Sequence, residues 1–273
     1  VWSAKENRNY KNFVKRLVHF NKRLDVMNVN YAKHVYEVKA EILNDNGRLT
    51  LQLETTTDHK IIYSLDGKKP NYLTHSEYKS PIKIDSSVTI KAAIFNTDRK
   101  QLGGVLDQKV KLHKAVGKKI SLNVKPDKGY NAGGKQALIN GISGNNKRYG
   151  DKEWLGFSGD DVEIIIKFDS PTKINSIATR FFNKTNQWIY VPKILNLQLK
   201  LEDGRAISTR KKIENTKSLL VDFNLNISQF YPEDKNLKAT ELKITIPSYG
   251  IIPKGKQGAG HKAWTFIDEI VIE

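Results

Sequence analysis

Leu195-Asn196-Leu197-Gln198-Leu199-Lys200-Leu201 places a leucine at every second position and a polar residue between each pair. Successive side chains of a strand point to opposite faces, so this run reads as a strand with one buried face and one wet face. Asp203-Gly204 follows at once, a turn signal that ends it. Leu242, Ile244 and Ile246 repeat the alternation downstream. Val162 to Phe168 and Ile174 to Phe182 are fuller apolar runs, suited to the centre of a sandwich. Long loops separate these runs at 129–134, 141–159, 183–190 and 248–262, and loops on a rigid β scaffold are where binding usually resides. Residues 118–273 are therefore expected to form one larger all-β domain.

Upstream, residues 39–117 read as a smaller β domain. Leu49, Leu51 and Leu53 alternate with polar residues, and Ile61 to Leu65 is a second strand closed by a hairpin turn at Asp66-Gly67. Pro70 and Pro81 punctuate a loop, and Val88 to Phe95 and Val105 to Leu112 are further strands. The polar stretch Lys114 to Lys119 marks the junction between the two domains. Residues 1–38 change period. Phe13, Leu17, Phe20 and Leu24 recur at helical spacing, and Ser3 with Glu6 has the capping-box spacing. Asp25 to Asn30 ends this helix. Its apolar stripe needs a partner, and nothing else in the chain reads as helical, so the partner is expected upstream of Val1.

The 273 residues suit two modest domains. The net charge of +17 invites a nucleic-acid role, but it divides as +5 over 1–38, +4 over 39–117 and +8 over 118–273. A binding stripe would concentrate the charge, and no zinc-finger, helix-turn-helix or aromatic RNA-binding motif accompanies it, so nucleic acid is not expected as a partner. The chain has no cysteine, which excludes disulfides and thiolate metal sites. No apolar run reaches the length of a transmembrane helix.

Three stretches carry a resemblance to known families. Ile62-Tyr63-Ser64-Leu65-Asp66-Gly67, Pro70, Ser76, Tyr78, Pro81-Ile82 and Thr89-Ile90-Lys91-Ala92-Ala93 resemble the small immunoglobulin-like module at the C-terminus of chitobiases and hexosaminidases. Trp2-Ser3, Arg16-Leu17, Arg23-Leu24 and Asn30-Tyr31 resemble the end of the catalytic barrel of glycoside hydrolase family 20. Ala137-Leu138-Ile139-Asn140-Gly141, Trp154-Leu155-Gly156-Phe157, Trp188 with Pro192-Lys193, and Gly260-His261-Lys262-Ala263-Trp264 before Asp268-Glu269-Ile270 are similar to a discoidin-like domain of the coagulation-factor 5/8 type C kind. The resemblance implies a mainly β chain in three parts. Residues 1–38 would be a helical remnant of a missing (β/α)8 barrel and 39–117 an immunoglobulin/fibronectin-like β-sandwich. Residues 118–273 would be a discoidin-like (galactose-binding-like) jelly-roll β-sandwich.

The same resemblance implies the C-terminal, non-catalytic part of a bacterial β-N-acetylhexosaminidase that is secreted, periplasmic or on the cell surface. In family 20 an Asp-Glu pair orients the substrate's own acetamido oxygen and serves as acid/base, and that pair would lie upstream of Val1. Asp268-Glu269 is adjacent but interrupts the last apolar run, so no catalytic residue is assigned here. Sugars are held by aromatic faces flanked by planar polar groups. Trp188, His261, Lys262, Arg148 and Tyr149 are the candidate carbohydrate-binding residues, for N-acetylhexosamine or galactose-type sugars; Trp188 packing its own loop is the alternative. Trp154, Phe157 and Trp264 read as core. No cofactor is required. Related discoidin-like domains often hold a structural calcium, for which Asn140, Asn145 and Glu269 are the candidate ligands, with a metal-free Asn-Gly turn as the alternative. The chain is expected to be a monomer. The rival to a sugar-binding role is a pair of spacer modules with no ligand.

Overall fold

The computed structural model describes residues 4, 6, 8–45, 48–131, 133–214, 217–231 and 237–273. The chain divides into two compact units, Val1–Val110 and Lys111–Glu273.

In the first unit, helix α1 spans Tyr10–Val26. Its N-cap is Asn9, whose side-chain oxygen accepts from the Asn12 N–H at 2.9 Å and satisfies one orphan donor of the first turn. Ser3 of the expected capping box lies outside the described residues, as do Trp2 and Ser3 of the barrel-like start. The packed face of α1 is rotated from the expected stripe. Val14 and Asn21 are buried, while Phe13 and Phe20 are about half exposed. Val14 and Val18 share a groove with Thr56, Thr57 and His59, and Asn21 donates weakly to the Tyr36 hydroxyl at 3.5 Å. The helix thus packs within its own unit through Val14 and Asn21, and the rings of the expected stripe stay half exposed.

Among the described residues seven strands follow: β1 (Lys39–Asp45), β2 (Arg48–Glu54), β3 (Lys60–Ser64), β4 (Ser76–Glu77), β5 (Ile82–Ile84), β6 (Val88–Phe95) and β7 (Gln101–Val110). They form two antiparallel sheets, in the orders β1-β2-β5 and β4-β3-β6-β7. Leu49, Leu51 and Leu53 are all buried on β2, as their alternation predicts. Asp66-Gly67 does not close a two-residue hairpin. β3 pairs with β4 and β6, and the Gly67 N–H instead donates to the Thr89 carbonyl at 3.0 Å.

Among its described residues the second unit has ten strands: β8 (Lys119–Leu122), β9 (Leu155–Ser158), β10 (Val162–Lys173), β11 (Ser176–Phe182), β12 (Ile194–Leu201), β13 (Ala206–Lys212), β14 (Leu220–Asn226), β15 (Lys238–Ile246), β16 (Trp264–Ile267) and β17 (Val271–Ile272). One sheet runs β13-β12-β15-β10-β8; the other runs β14-β11-β16-β9, with β17 beside β11. The alternation of β12 is realised. Leu195, Leu197, Leu199 and Leu201 are at most 3% exposed, whereas Gln198 and Lys200 are exposed. Each buried leucine contributes roughly 1.5–3 kcal/mol from removal of its surface from water. Residues of both sheets, including Ile164, Leu242, Ile244, Phe181 and Ile267, share one apolar cluster between them. Asp203-Gly204 makes the β12–β13 hairpin: the Leu201 N–H donates to Arg205 O at 2.8 Å, and Gly204 takes φ +84°, a conformation that favours glycine. Strand β9 shortens the expected 141–159 loop, and the other three expected loops hold.

Candidate functional site

β11 runs into a loop that places Trp188 after a short 3-10 turn, Thr185–Gln187. Trp188 adopts φ +64°, its N–H donating to the Thr185 carbonyl at 3.1 Å. The loop is fastened to the start of β16 on both sides: Trp264 N–H donates to Trp188 O at 2.8 Å, and Tyr190 N–H donates to Trp264 O at 2.9 Å. The His261 ring stacks on Trp188 with centroids 4.8 Å apart and 18° between planes. That stack is held by a turn in which the His261 N–H donates to Gly258 O at 3.0 Å. Gly258 has φ +80°, and a Cβ there would lie 2.4 Å from the indole nitrogen of Trp188. Gly258→Ala should therefore push the indole off its seat, cost about 1–3 kcal/mol, and shift tryptophan fluorescence to the red. An unchanged melting temperature and spectrum would contradict this packing.

A second loop meets the first through one hydrogen bond, from the Tyr149 hydroxyl to Gln187 Oε1 at 2.7 Å. Burial pushes the pKa of the Tyr149 hydroxyl up, which keeps it a donor at neutral pH. Arg148, beside it, is exposed. Lys262 follows His261, lays its stem over Gly159 and brings Nζ to 3.9 Å from Asp160, an exposed pair of little energetic weight. All five expected sugar-contact residues, Trp188, His261, Lys262, Arg148 and Tyr149, thus fall in one cluster of loops.

Two members of the cluster were not expected. Tyr130 stands edge-on to Trp264 at 5.5 Å and to Phe266 at 4.8 Å, and leans on Tyr149 at 5.7 Å. Trp264, read as core, is only partly buried, whereas Trp154 and Phe157 are core at 1% and 2% exposure. Tyr130, Tyr149, Trp188 and Trp264 are all partly exposed, so the cluster presents apolar rings with amide and hydroxyl groups beside them. The signal for Tyr130 was its place in the glycine-rich 129–134 loop. Nothing local marked Trp264, because a tryptophan at a strand start reads the same inside or out.

Beneath these loops lies a buried polar group. Asp268 Oδ2 accepts from Arg180 Nε and from the Gly144 N–H, both at 2.9 Å, and also pairs with Arg180 Nη2. Glu269 Oε1 accepts from His113 Nε2 at 2.7 Å and the Gly141 N–H at 3.0 Å. The Ala115 and Ile272 N–H groups point at His113 Nδ1, which makes it the acceptor nitrogen and Nε2 the one that carries the proton. Burial holds His113 down at about 4, so the ring is neutral. Burial also raises Asp268 to about 6 against the pull of Arg180, raises Glu153 to about 7, and raises Glu269 well above the usual carboxylate range. Neither Asp268 nor Glu269 reaches solvent, so the adjacent pair does not face a substrate.

The expected calcium ligands are otherwise engaged. Asn140 donates to Glu153 and accepts from the Ile142 N–H, both at 2.8 Å, and Asn145 Oδ1 accepts from the Lys147 N–H at 2.8 Å. Glu269 Oε1 faces N–H donors, the polarity opposite to that of a cation cage. Among the described residues, no group of three or more His, Cys, Asp or Glu is placed to hold a metal ion. The residues therefore do not fit the calcium that the resemblance implies.

Residues 39–104 match the family described as the Chitobiase/beta-hexosaminidase C-terminal domain. No curated protein matches the chain. Among solved structures, the family 32 carbohydrate-binding module of Streptococcus pneumoniae EndoD matches at 14% identity and TM-score 0.38, covering 59% of this chain and 99% of that one. The C-terminal domain of a Bacteroides fragilis chitobiase matches at 18% identity and TM-score 0.34, covering 59% and 95%. A family 32 module from Clostridium perfringens, in complex with GalNAc-β-1,3-galactose, matches at 12% identity and TM-score 0.33, covering 56% and 93%. The chain resembles the C-terminal accessory region of a hexosaminidase-type protein, with the chitobiase/beta-hexosaminidase C-terminal domain at residues 39–104.

Proposed function

We propose that this chain is the non-catalytic part of a secreted or cell-surface β-N-acetylhexosaminidase, and that the loop cluster of its second unit binds a terminal N-acetylhexosamine or galactose-type sugar. The observation that carries the reading is the set of partly exposed rings, Tyr130, Tyr149, Trp188 and Trp264, gathered from three loops and the start of β16, with the Gln187 amide bonded to the Tyr149 hydroxyl and Arg148 exposed next to Tyr149 in sequence. Such rings cover the C–H face of a pyranose, and the planar polar groups fix its hydroxyls. The region would tether the parent enzyme to glycan and raise local substrate concentration without entering the chemistry.

A glycan array tests the reading. The chain should bind glycans ending in GalNAc, GlcNAc or galactose, and Tyr130→Ala and Arg148→Ala should each weaken binding about tenfold or more. Uniform, weak signal across all glycans would leave only the spacer role. Turnover of a chromogenic N-acetylglucosaminide by the isolated chain would overturn its non-catalytic part. The second unit should also fold without calcium, because His113, Arg180 and backbone N–H groups already face its buried carboxylates. Melting temperatures in excess calcium and in EDTA should agree within about 1 °C; a calcium-dependent rise of several degrees would contradict the donor arrangement.

A further inference from the structure

Beside the aromatic cluster, a cleft of about 260 Å³ opens against the 190–193 and 249–256 segments. Val191, Pro192 and Ile213 give it an apolar wall, and Tyr190, Lys193, Tyr249 and Lys256, with the neutral Asn183 and Thr185, line it with polar groups. Among the described residues no Asp or Glu lines it; Glu214, next to Ile213, lines the neighbouring groove instead. Among the described residues, neither Lys193 nor Lys256 has a carboxylate partner. Lys193 Nζ instead sits over the Tyr249 ring, 5.0 Å from its centroid. The Tyr190 ring packs on Tyr249 with centroids 4.5 Å apart. Tyr190 is 6% exposed, and its hydroxyl finds no hydrogen-bond partner among the described residues. Burial pushes the pKa of that hydroxyl up, so it remains a protonated donor at neutral pH.

Native proteins rarely leave a buried hydroxyl unpartnered, and those that do commonly keep it for a ligand or bound water. Here the charged groups share one sign. Two exposed ammonium groups and one unpartnered buried hydroxyl can donate, and among the described residues no acidic residue lines the cleft to compete as acceptor. An oxyanion complements them, and the apolar wall complements the C–H surface of the body that carries it. We propose that this cleft binds the acid group of a charged saccharide unit, a carboxylate or sulfate held by Lys193 and Lys256 with the Tyr190 hydroxyl donating to it. For its sugar body, though not for its anion, the proposal rests on the reading of the second unit as a glycan binder.

The test is an NMR titration of the full chain with D-glucuronate, D-glucose 6-sulfate, D-glucose and inorganic sulfate. At least one acidic sugar should shift the amide resonances of 190–193 and 249–256 and bind roughly tenfold more tightly than glucose; comparing the two separates carboxylate from sulfate. Lys193→Gln changes an exposed residue, so the fold should survive, and it should lose roughly tenfold in that affinity. Tyr190→Phe should lose less while melting at the same temperature. Both acidic sugars binding no more tightly than glucose, or a Lys193→Gln variant that binds as wild type does, would overturn the proposal. Inorganic sulfate binding as tightly as glucose 6-sulfate would overturn its saccharide part. Array signal without any acidic-sugar shift would sink this cleft alone; the shift without array signal would sink the aromatic cluster alone.

Discussion

Arg180→Ala should destabilise the second unit by about 3–5 kcal/mol, the usual cost of removing one partner from a buried ion pair. Arg180 joins three segments. From β11 its Nε reaches Asp268 Oδ2 at 2.9 Å, its Nη1 donates to Asn146 Oδ1 at 2.8 Å, and its Nη2 donates to Gly144 O at 2.8 Å. Its guanidinium also lies over the Trp154 ring, 5.6 Å from the centroid. Truncation removes these contacts together and leaves Asp268, which is fully buried, with the Gly144 N–H as its only described donor and one oxygen already unpartnered. Arg180→Lys keeps the charge but cannot fork between the carboxylate and Gly144 O, so it should fall between wild type and alanine. Adding Asp268→Asn to Arg180→Ala should recover part of the loss by removing the uncompensated charge. Urea unfolding measures all three; a loss under about 1 kcal/mol for Arg180→Ala would mean the pair contributes no more than a surface bridge.

This ion pair also marks where sequence reading gives out. The alternation of β12 and β15 was legible because burial on one face of a strand is written into neighbouring residues. The same logic found the helix and its apolar stripe, but not the second face that packs within its own unit. Phe13 and Phe20 outweigh Val14 and Val18 in any apolar tally, yet the surface beside the 56–59 segment takes the smaller residues and leaves the rings half exposed. Asp268 and Glu269 were visible only as an adjacent pair, because the partners that define them, Arg180, Gly144, Gly141 and His113, stand 88 to 156 positions away. The loop cluster lay between these extremes. Its glycines and aromatic residues announced loops that could bind, but the bond from Tyr149 to Gln187 and the stacking of His261 on Trp188 depend on how those loops cross. The orientation of the candidate calcium ligands was hidden for the same reason, since the direction of the Gly141 and Ile142 N–H groups is a property of the folded turn.

The buried acids make a further result accessible: the second unit should be more stable near pH 5.5 than at pH 8, by about 1–2 kcal/mol. Glu153 and Asp268 are held at about 7 and about 6, against ordinary values of 4.5 and 3.8. At pH 8 both are ionised in the native and the unfolded chain, and the native state bears the whole cost of burying the charge. As the pH falls through the raised values, the native state takes up protons before the unfolded chain does, so stability rises. Glu269 has the same sign, with its value raised by burial. His113 has the opposite sign. Its native value of about 4 lies below the ordinary 6.5, so the unfolded chain protonates first and stability is lost progressively below about pH 6.5. The gains of the acids exceed the loss from the single histidine until all have largely titrated, which places the optimum on the acid side of neutrality. Glu153→Gln isolates one contribution: it should raise the melting temperature at pH 8, change it little at pH 5, and flatten the profile between them. A melting temperature that climbs steadily from pH 5 to pH 8 would show that these carboxyl groups are charged at no cost, and that the donors around Asp268 and Glu269 compensate their burial completely.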